Sequence, residues 1–348
     1  MTASNQQPRG VHLVGSVPLE NAEQVFRTTS SILGARLRRV PDGETGVRTN
    51  WIRWQAAVLA QHPAFELVPP EGPAYTPLPV FRLRAPAPAD GVKFPDLGYA
   101  AAARESYAVF ARLKQEGAIP APTRFQVSLP TPVATVASFV RPEDQPAVEP
   151  AYEARMLGEL QEIVQTVPHD QLAMQWDVAV EFGILEGVWR TPGFPSDEAS
   201  LVARLVRLGE AVPADVELGY HLCYGDAGHK HFVQPADTAR LVSVANAIAA
   251  GLQRPLNWIH LPVPRDRDDD AYFAPLQGLQ LHPETELYLG LVHRTGGEEG
   301  TRKRIAAAQR AVPVFGIGTE CGMGRRPAET ISELLQAHAA VAGPPPAG

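Results

Sequence analysis

Short apolar runs rich in Val, Ile, Leu and aromatic residues alternate along the chain with segments whose apolar residues recur every three to four positions. Runs of the first kind read as buried strands and segments of the second kind as amphipathic helices. Eight strands are predicted: GVHLVGSV from Gly10, ARLRRV from Ala35, RFQVSL from Arg124, QLAMQWDVAV from Gln171, VELGYHLCYG from Val216, LNWIHLPV from Leu256, ELYLGLV from Glu286 and VPVFGIGTE from Val312. Helical periodicity is predicted over 20–33, closed by Gly34, and over 51–62, 99–116, 150–166, 198–210, 236–250, 271–278 and 298–311, with a closing helix in ETISELLQAHAAV.

Strands followed by helices predict a parallel sheet with crossover connections, and eight of them predict a single-domain (β/α)8 TIM barrel over residues 10–342. A doubly wound open sheet is the rival, but no GxGxxG turn follows the first strand to support it. The Pro-rich stretch at about 63–98 reads as an insertion after the second strand with little regular structure. Residues 1–9 and the tail 343–348, built around AGPPPAG, are expected to be disordered.

Composition adds exclusions. An apolar fraction of 45% with 20% charged residues suffices for a core, and 31 basic against 38 acidic residues, net −7, gives no electrostatic reason to expect nucleic acid or an anionic membrane. The polar start MTASNQQPRG resembles no secretory signal, and no apolar run of about 18 residues occurs, so a cytoplasmic protein is expected. Oligomeric state is not legible. Two cysteines, Cys223 and Cys321, are too few for a disulfide scaffold.

Barrel chemistry sits at the carboxyl ends of the strands, which here carry an unusually polar set. In chain order these are Gly15 and Ser16, Asp42 and Glu44, Gln126 and Ser128, Asp177, His221 and Cys223, His260, His293, then Glu320 and Cys321. His221 and Cys223 are two apart on one strand, which points both side chains to the same face. Cys321, at the end of the last strand, can face them across a barrel mouth. Imidazole and thiolate suit Zn²⁺, and three protein ligands leave room for a substrate. The bland alternative is that both cysteines are small buried hydrophobes. RRVPDGETGVR gathers Arg38, Arg39, Asp42, Glu44 and Arg48 at the second-strand end, where an Arg fork could clamp a carboxylate or phosphate. His229 and His231 are expected at the surface, RDRDDD at 265–270 as a solvated charge run, and Trp51, Trp54 and Trp176 as core or as a stacking surface.

HLCYGD, then WIHLPVP, ELYLGLVHRT and GTECGMGRR, resemble the catalytic domain of cobalamin-independent methionine synthase, a family that shares its barrel with uroporphyrinogen decarboxylase. VGSVP resembles that family's IGSFP-type start, SLPTPVA its third-strand loop and QWDVA its QxDEPA strand. The resemblance implies a zinc enzyme that transfers a methyl group to a thiol, the metal turning the acceptor into its thiolate. It implies His221, Cys223 and Cys321 as ligands. The family's acidic ligand has no counterpart in WIHLPVPR, so His260 is the first choice for the fourth position and Glu320 the second.

The candidate catalytic groups are therefore Asp177, His293 and Glu44. Gly15, Ser16, Asp42, Arg48, Ser128 and Asp177 are candidate substrate contacts. The partners implied are a small thiol or amino-acid-like acceptor and a methyl donor, folate or corrinoid. A decarboxylase-like lyase without metal, or a zinc lyase or hydrolase, is the alternative on the same barrel.

Overall fold

A computed structural model describes residues 7–69, 77–84, 91–228 and 230–346. Its strands are β1 (Arg39–Pro41), β2 (Phe65–Val68), β3 (Val80–Leu83), β4 (Arg124–Pro130), β5 (Leu172–Val178), β6 (Glu217–Leu222), β7 (Trp258–Pro262), β8 (Glu286–Val292) and β9 (Gly316–Thr319). The helices are α1 (Ala22–Leu33), α2 (Gln55–Gln61), α3 (Tyr99–Gln115), α4 (Pro132–Phe139), α5 (Gln145–Thr166), α6 (Val180–Leu185), α7 (Glu198–Glu210), α8 (Ala239–Gly251), α9 (Asp270–Phe273), α10 (Gly297–Ala311) and α11 (Ile331–Val341).

Seven parallel strands in the order β1-β4-β5-β6-β7-β8-β9 form one curled sheet. All seven residues of β5 are buried, as a parallel strand covered on both faces requires. The register sets Asp177 beside His221 and His221 beside His260, so three chemically active side chains lie on one row. Local signals account for the helix limits. The Asn21 side chain accepts from the Gln24 N–H at the start of α1, Gly34 at φ 52° ends it, and Asp197 caps α7. Among the described residues no helix is long and apolar enough to cross a membrane.

Four expectations change. GVHLVGSV forms no regular strand, because it pairs only through isolated bridges, Val11 with both Leu37 and Ile317 and Ser16 with Gly43. Its backbone nevertheless bonds to both edges of the sheet: Val11 N–H donates to Arg36 O at 2.9 Å, and His12 N–H to Ile317 O at 2.8 Å. The insertion is more ordered than expected, since β2 and β3 pair antiparallel with Phe65 opposite Leu83; its residues 70–76 and 85–90 lie outside the described ones. Two helices, α4 and α6, went unseen. All eight residues of α4 are buried, so it has no polar face to show a helical period. Finally, the chain ends meet: Gly10 N–H donates to Gly343 O at 2.9 Å and Gly343 N–H to Pro8 O at 3.0 Å, while residues 1–6 and 347–348 lie outside the described ones.

Candidate metal centre and cavity

A cavity of about 260 Å³ opens at the carboxyl ends of the strands. Gly15, Ser16, Glu44, Asp177, His221, Cys223 and Cys321 all line it, joined by an aromatic wall of Trp51, Trp189 and Phe232. The ligand atoms of His221, Cys223 and Cys321 lie within 4.8 Å of one another. The two sulfurs are 3.6 Å apart, and the Gly225 N–H points at Cys223 Sγ from 3.3 Å. Contact with the Cys321 thiol, then burial, pushes the Cys223 thiol up from its ordinary range. Burial lowers His221, and the nearby imidazoles of His260 and His12 lower it further. His221 Nε2 is buried with no hydrogen-bond partner among the described residues. A bare imidazole nitrogen beside two thiols is the donor set that zinc takes, so these residues fit the ion.

His260 does not join this cluster and does not line the cavity. It lies on β7 next to His221, its Nδ1 2.8 Å from His221 Nδ1.

Two carboxyls, Glu44 and Asp177, line the same cavity, and Asp177 is the register neighbour of His221. Burial raises the pKa of both Glu44 and Asp177 well above the carboxylate range, and Asp177 raises Glu44 further. Gln175 donates to Asp177 Oδ1 at 2.8 Å and opposes the shift there. Glu44 occupies left-handed backbone at φ 47° directly after Gly43 at φ 81°. That turn swings its carboxyl against Gly15, where a Cβ would stand 2.7 Å from Glu44 Oε1. A non-glycine residue held in this region marks stored strain of the kind found at functional sites.

The remaining predicted residues divide. Ser16 binds the loop that carries Cys321, its Oγ accepting from Gly324 N–H at 3.2 Å. Ser128 lies below the cavity and donates to Val14 O at 2.9 Å, while Gln126 donates to Leu13 O at 2.9 Å. Asp42 and Arg48 form a pair at 2.6 Å behind Glu44, and Ser106 also donates to Asp42 at 2.7 Å, so neither lines the cavity. His293 is also outside it. Its Nε2 contacts Val263 O at 2.9 Å and its Nδ1 lies 3.5 Å from Glu320. His231 is buried, not at the surface, with Nε2 3.2 Å from Glu320; His229 lies outside the described residues. Burial alone would raise Glu320, but the two histidines hold it well below the carboxylate range.

The second-strand cluster is split between two ends of the sheet. Asp42 and Glu44 face the cavity end, whereas Arg38 and Arg39 stand at the opposite end, bound to Glu286 and Glu217. Trp176 is core, Trp54 packs edge-on against Tyr99, and Trp51 lines the cavity. Sequence reasoning passed over Trp189, Phe232, Asp226 and Arg325. Arg325 donates to Asp226 O at 2.8 Å and reaches within 3.9 Å of Cys321 Sγ, tying together the loops that carry the two cysteines. Its place in GMGRR just after Cys321 was the available signal.

No protein-family model and no curated protein matches the chain. Solved structures do. A protein named as a vitamin-B12-independent methionine synthase from Listeria monocytogenes is 13% identical with a TM-score of 0.57, over 97% of this chain and 99% of that one. A B12-independent methionine synthase from a Shewanella species, solved with selenomethionine, gives 14% and 0.59 over 96% of each chain. A methyltransferase from Methanosarcina mazei gives 12% and 0.56 over 96% and 94%. At these identities the likeness is one of fold, and the chain has the methionine-synthase-like catalytic-domain fold.

Proposed function

We propose that this chain is a zinc-dependent methyltransferase whose acceptor carries both a thiol and an amine. The observation that carries the reading is the convergence of two donor sets on one cavity: His221, Cys223 and Cys321, and the carboxyls of Glu44 and Asp177, with Asp177 beside His221 in the strand register. When bound, zinc would supply the positive charge that lowers a thiol's pKa and leaves the nucleophilic thiolate present at neutral pH. Glu44 and Asp177, short of charge compensation in their buried setting, would hold the acceptor's ammonium, which provides the countercharge that burial denies them. Ser16, against the loop that carries Cys321, and the backbone at Gly15, against Glu44, would also bound the acceptor. Trp51, Trp189 and Phe232 would exclude water and present flat faces to the methyl donor.

The likeness to proteins named methionine synthase supports a homocysteine-like acceptor, and a folate or corrinoid would be the methyl donor. Residues 9–17 would act as the eighth strand-like segment that closes the barrel, given their bonds to both sheet edges. A cytoplasmic setting belongs to the same reading, since it keeps both thiols reduced.

Zinc-edge X-ray absorption on the metal-loaded protein, with and without homocysteine, tests the proposal. An added sulfur in the coordination shell, with radiolabelled methyl reaching the thiol from methyl-folate or methyl-corrinoid, is the expected result. Zinc that gains no sulfur from any aminothiol, in a protein that hydrolyses or decarboxylates instead, sinks it.

A further inference from the structure

His260 stands where the strand after His221 should bring the next ligand, and its position argues for a different task. The two imidazoles are register partners on β6 and β7, both buried, with Nδ1 to Nδ1 at 2.8 Å. That separation is a hydrogen bond, in which one Nδ1 donates and the other accepts. The far nitrogens of both rings are buried without a hydrogen-bond partner among the described residues, and what separates them is that His221 lines the cavity beside the two sulfurs while His260 does not. The far nitrogen of His260 faces the other way: a Cβ on Gly318 in β9 would lie 3.2 Å from it and 2.8 Å from His12 O, so β9 backbone closes that side. The His12 ring, centroid 5.4 Å away, fills the layer below.

On the zinc reading given above, we infer that His260 is a positioning residue and not a metal ligand. It accepts the His221 Nδ1 proton, fixes the tautomer that leaves His221 Nε2 bare, and aims that nitrogen at Cys223 and Cys321. Partners of this kind orient ligating histidines in metal sites generally, and their loss typically weakens metal binding about 10- to 100-fold. The protein's own set is then one imidazole and two thiolates, with the remaining position left to a non-protein ligand.

The test uses the full chain loaded with one equivalent of zinc. Zinc-edge absorption of the unmodified protein should show one imidazole and two sulfurs, a count that needs no variant. Competition against a chromophoric chelator should then show His260→Leu binding zinc about 10- to 100-fold more weakly with the imidazole count still one. His260→Asn, whose amide oxygen can replace the Nδ1 acceptor, should recover most of that affinity, whereas His260→Gln, with its acceptor one bond further out, should not. A fold defect would appear equally in the metal-free melting temperatures of all three variants, so the Asn-over-Gln difference in affinity reads positioning. Two imidazoles in the unmodified protein, falling to one in His260→Leu, would make His260 a ligand and overturn the inference. Equal affinity in all four proteins overturns it too. Unmodified protein that takes up no zinc overturns the metal reading itself, and this role with it.

Discussion

The two ends of the sheet bury similar residue types to opposite effect. At the amino-terminal end Arg39, 5% exposed, stacks over Trp258 at 4.1 Å and meets Glu217 at 2.5 Å and Glu286 at 2.8 Å. Arg124 and Arg38 complete the set at 3.0 Å from Glu217 and 2.5 Å from Glu286. At the carboxyl end, Glu44 and Asp177 are raised by burial, and the bare His221 Nε2 faces two thiols. Charges matched to one another hold strands in place. Groups whose requirements the protein leaves unmet are matched to something that arrives.

The largest expected effect strikes the cavity end. Cys223→Ser and Cys321→Ser should each cut bound zinc from about one per chain to near zero, measured by metal analysis after dialysis, because a serine hydroxyl is a poor zinc ligand at neutral pH. Chemical denaturation without metal should barely separate these variants from the parent. If they lose stability and keep zinc, the two ends have been assigned the wrong way round.

Arg39→Met should show the converse. Breaking a buried pair typically costs 3–5 kcal/mol, and since Glu217 keeps Arg124 and Glu286 keeps Arg38, about 3 kcal/mol is expected in urea unfolding. Zinc affinity of the folded variant should not move.

Glu181 sharpens the contrast through pH. It follows β5 at the cavity end, and burial pushes its carboxyl up to about 7, opposed by the Thr131 hydroxyl at 2.5 Å. A carboxyl raised on folding binds its proton more tightly in the folded state. Its stabilising contribution is therefore full below its ordinary value of 4.5 and lost as pH rises through about 7. Glu181→Gln should gain stability relative to the parent over that window, on the order of 3 kcal/mol by pH 8. Parallel stability curves from pH 4 to 8 would refute the assignment.

Gly15→Ala gives the smallest effect. Its added methyl would press on Glu44 Oε1, displacing one carboxyl of the proposed amine site. A loss of about 1 kcal/mol in aminothiol binding by calorimetry is expected, with binding of a simple thiol lacking the amine unchanged.

Much of this was legible in the sequence because it is written in local periods. Strands such as β5 and β8 appear as apolar runs, and the alternation with helices such as α7 and α10 implies a parallel sheet. The two-residue spacing of His221 and Cys223 placed them on one face, and both line the cavity. Where period vanishes, reading failed. The wholly buried α4 has no polar face, and the first segment pairs only through isolated bridges. The Arg-rich second strand concealed that Arg39 and Glu44 serve opposite ends.

The sequence by itself determined the order of elements and the chemical types available at the strand ends, since both follow from side-chain pattern over a few residues. Tertiary structure alone decided which of those residues meet. Cys223 and Cys321, separated by 98 positions, come within 3.6 Å, and His231 is carried inward to Glu320. Only the strand register turned His260 toward His221 and away from the cavity. Those outcomes depend on how the sheet curls and on which neighbour claims each nitrogen, and no local stretch of chain encodes either.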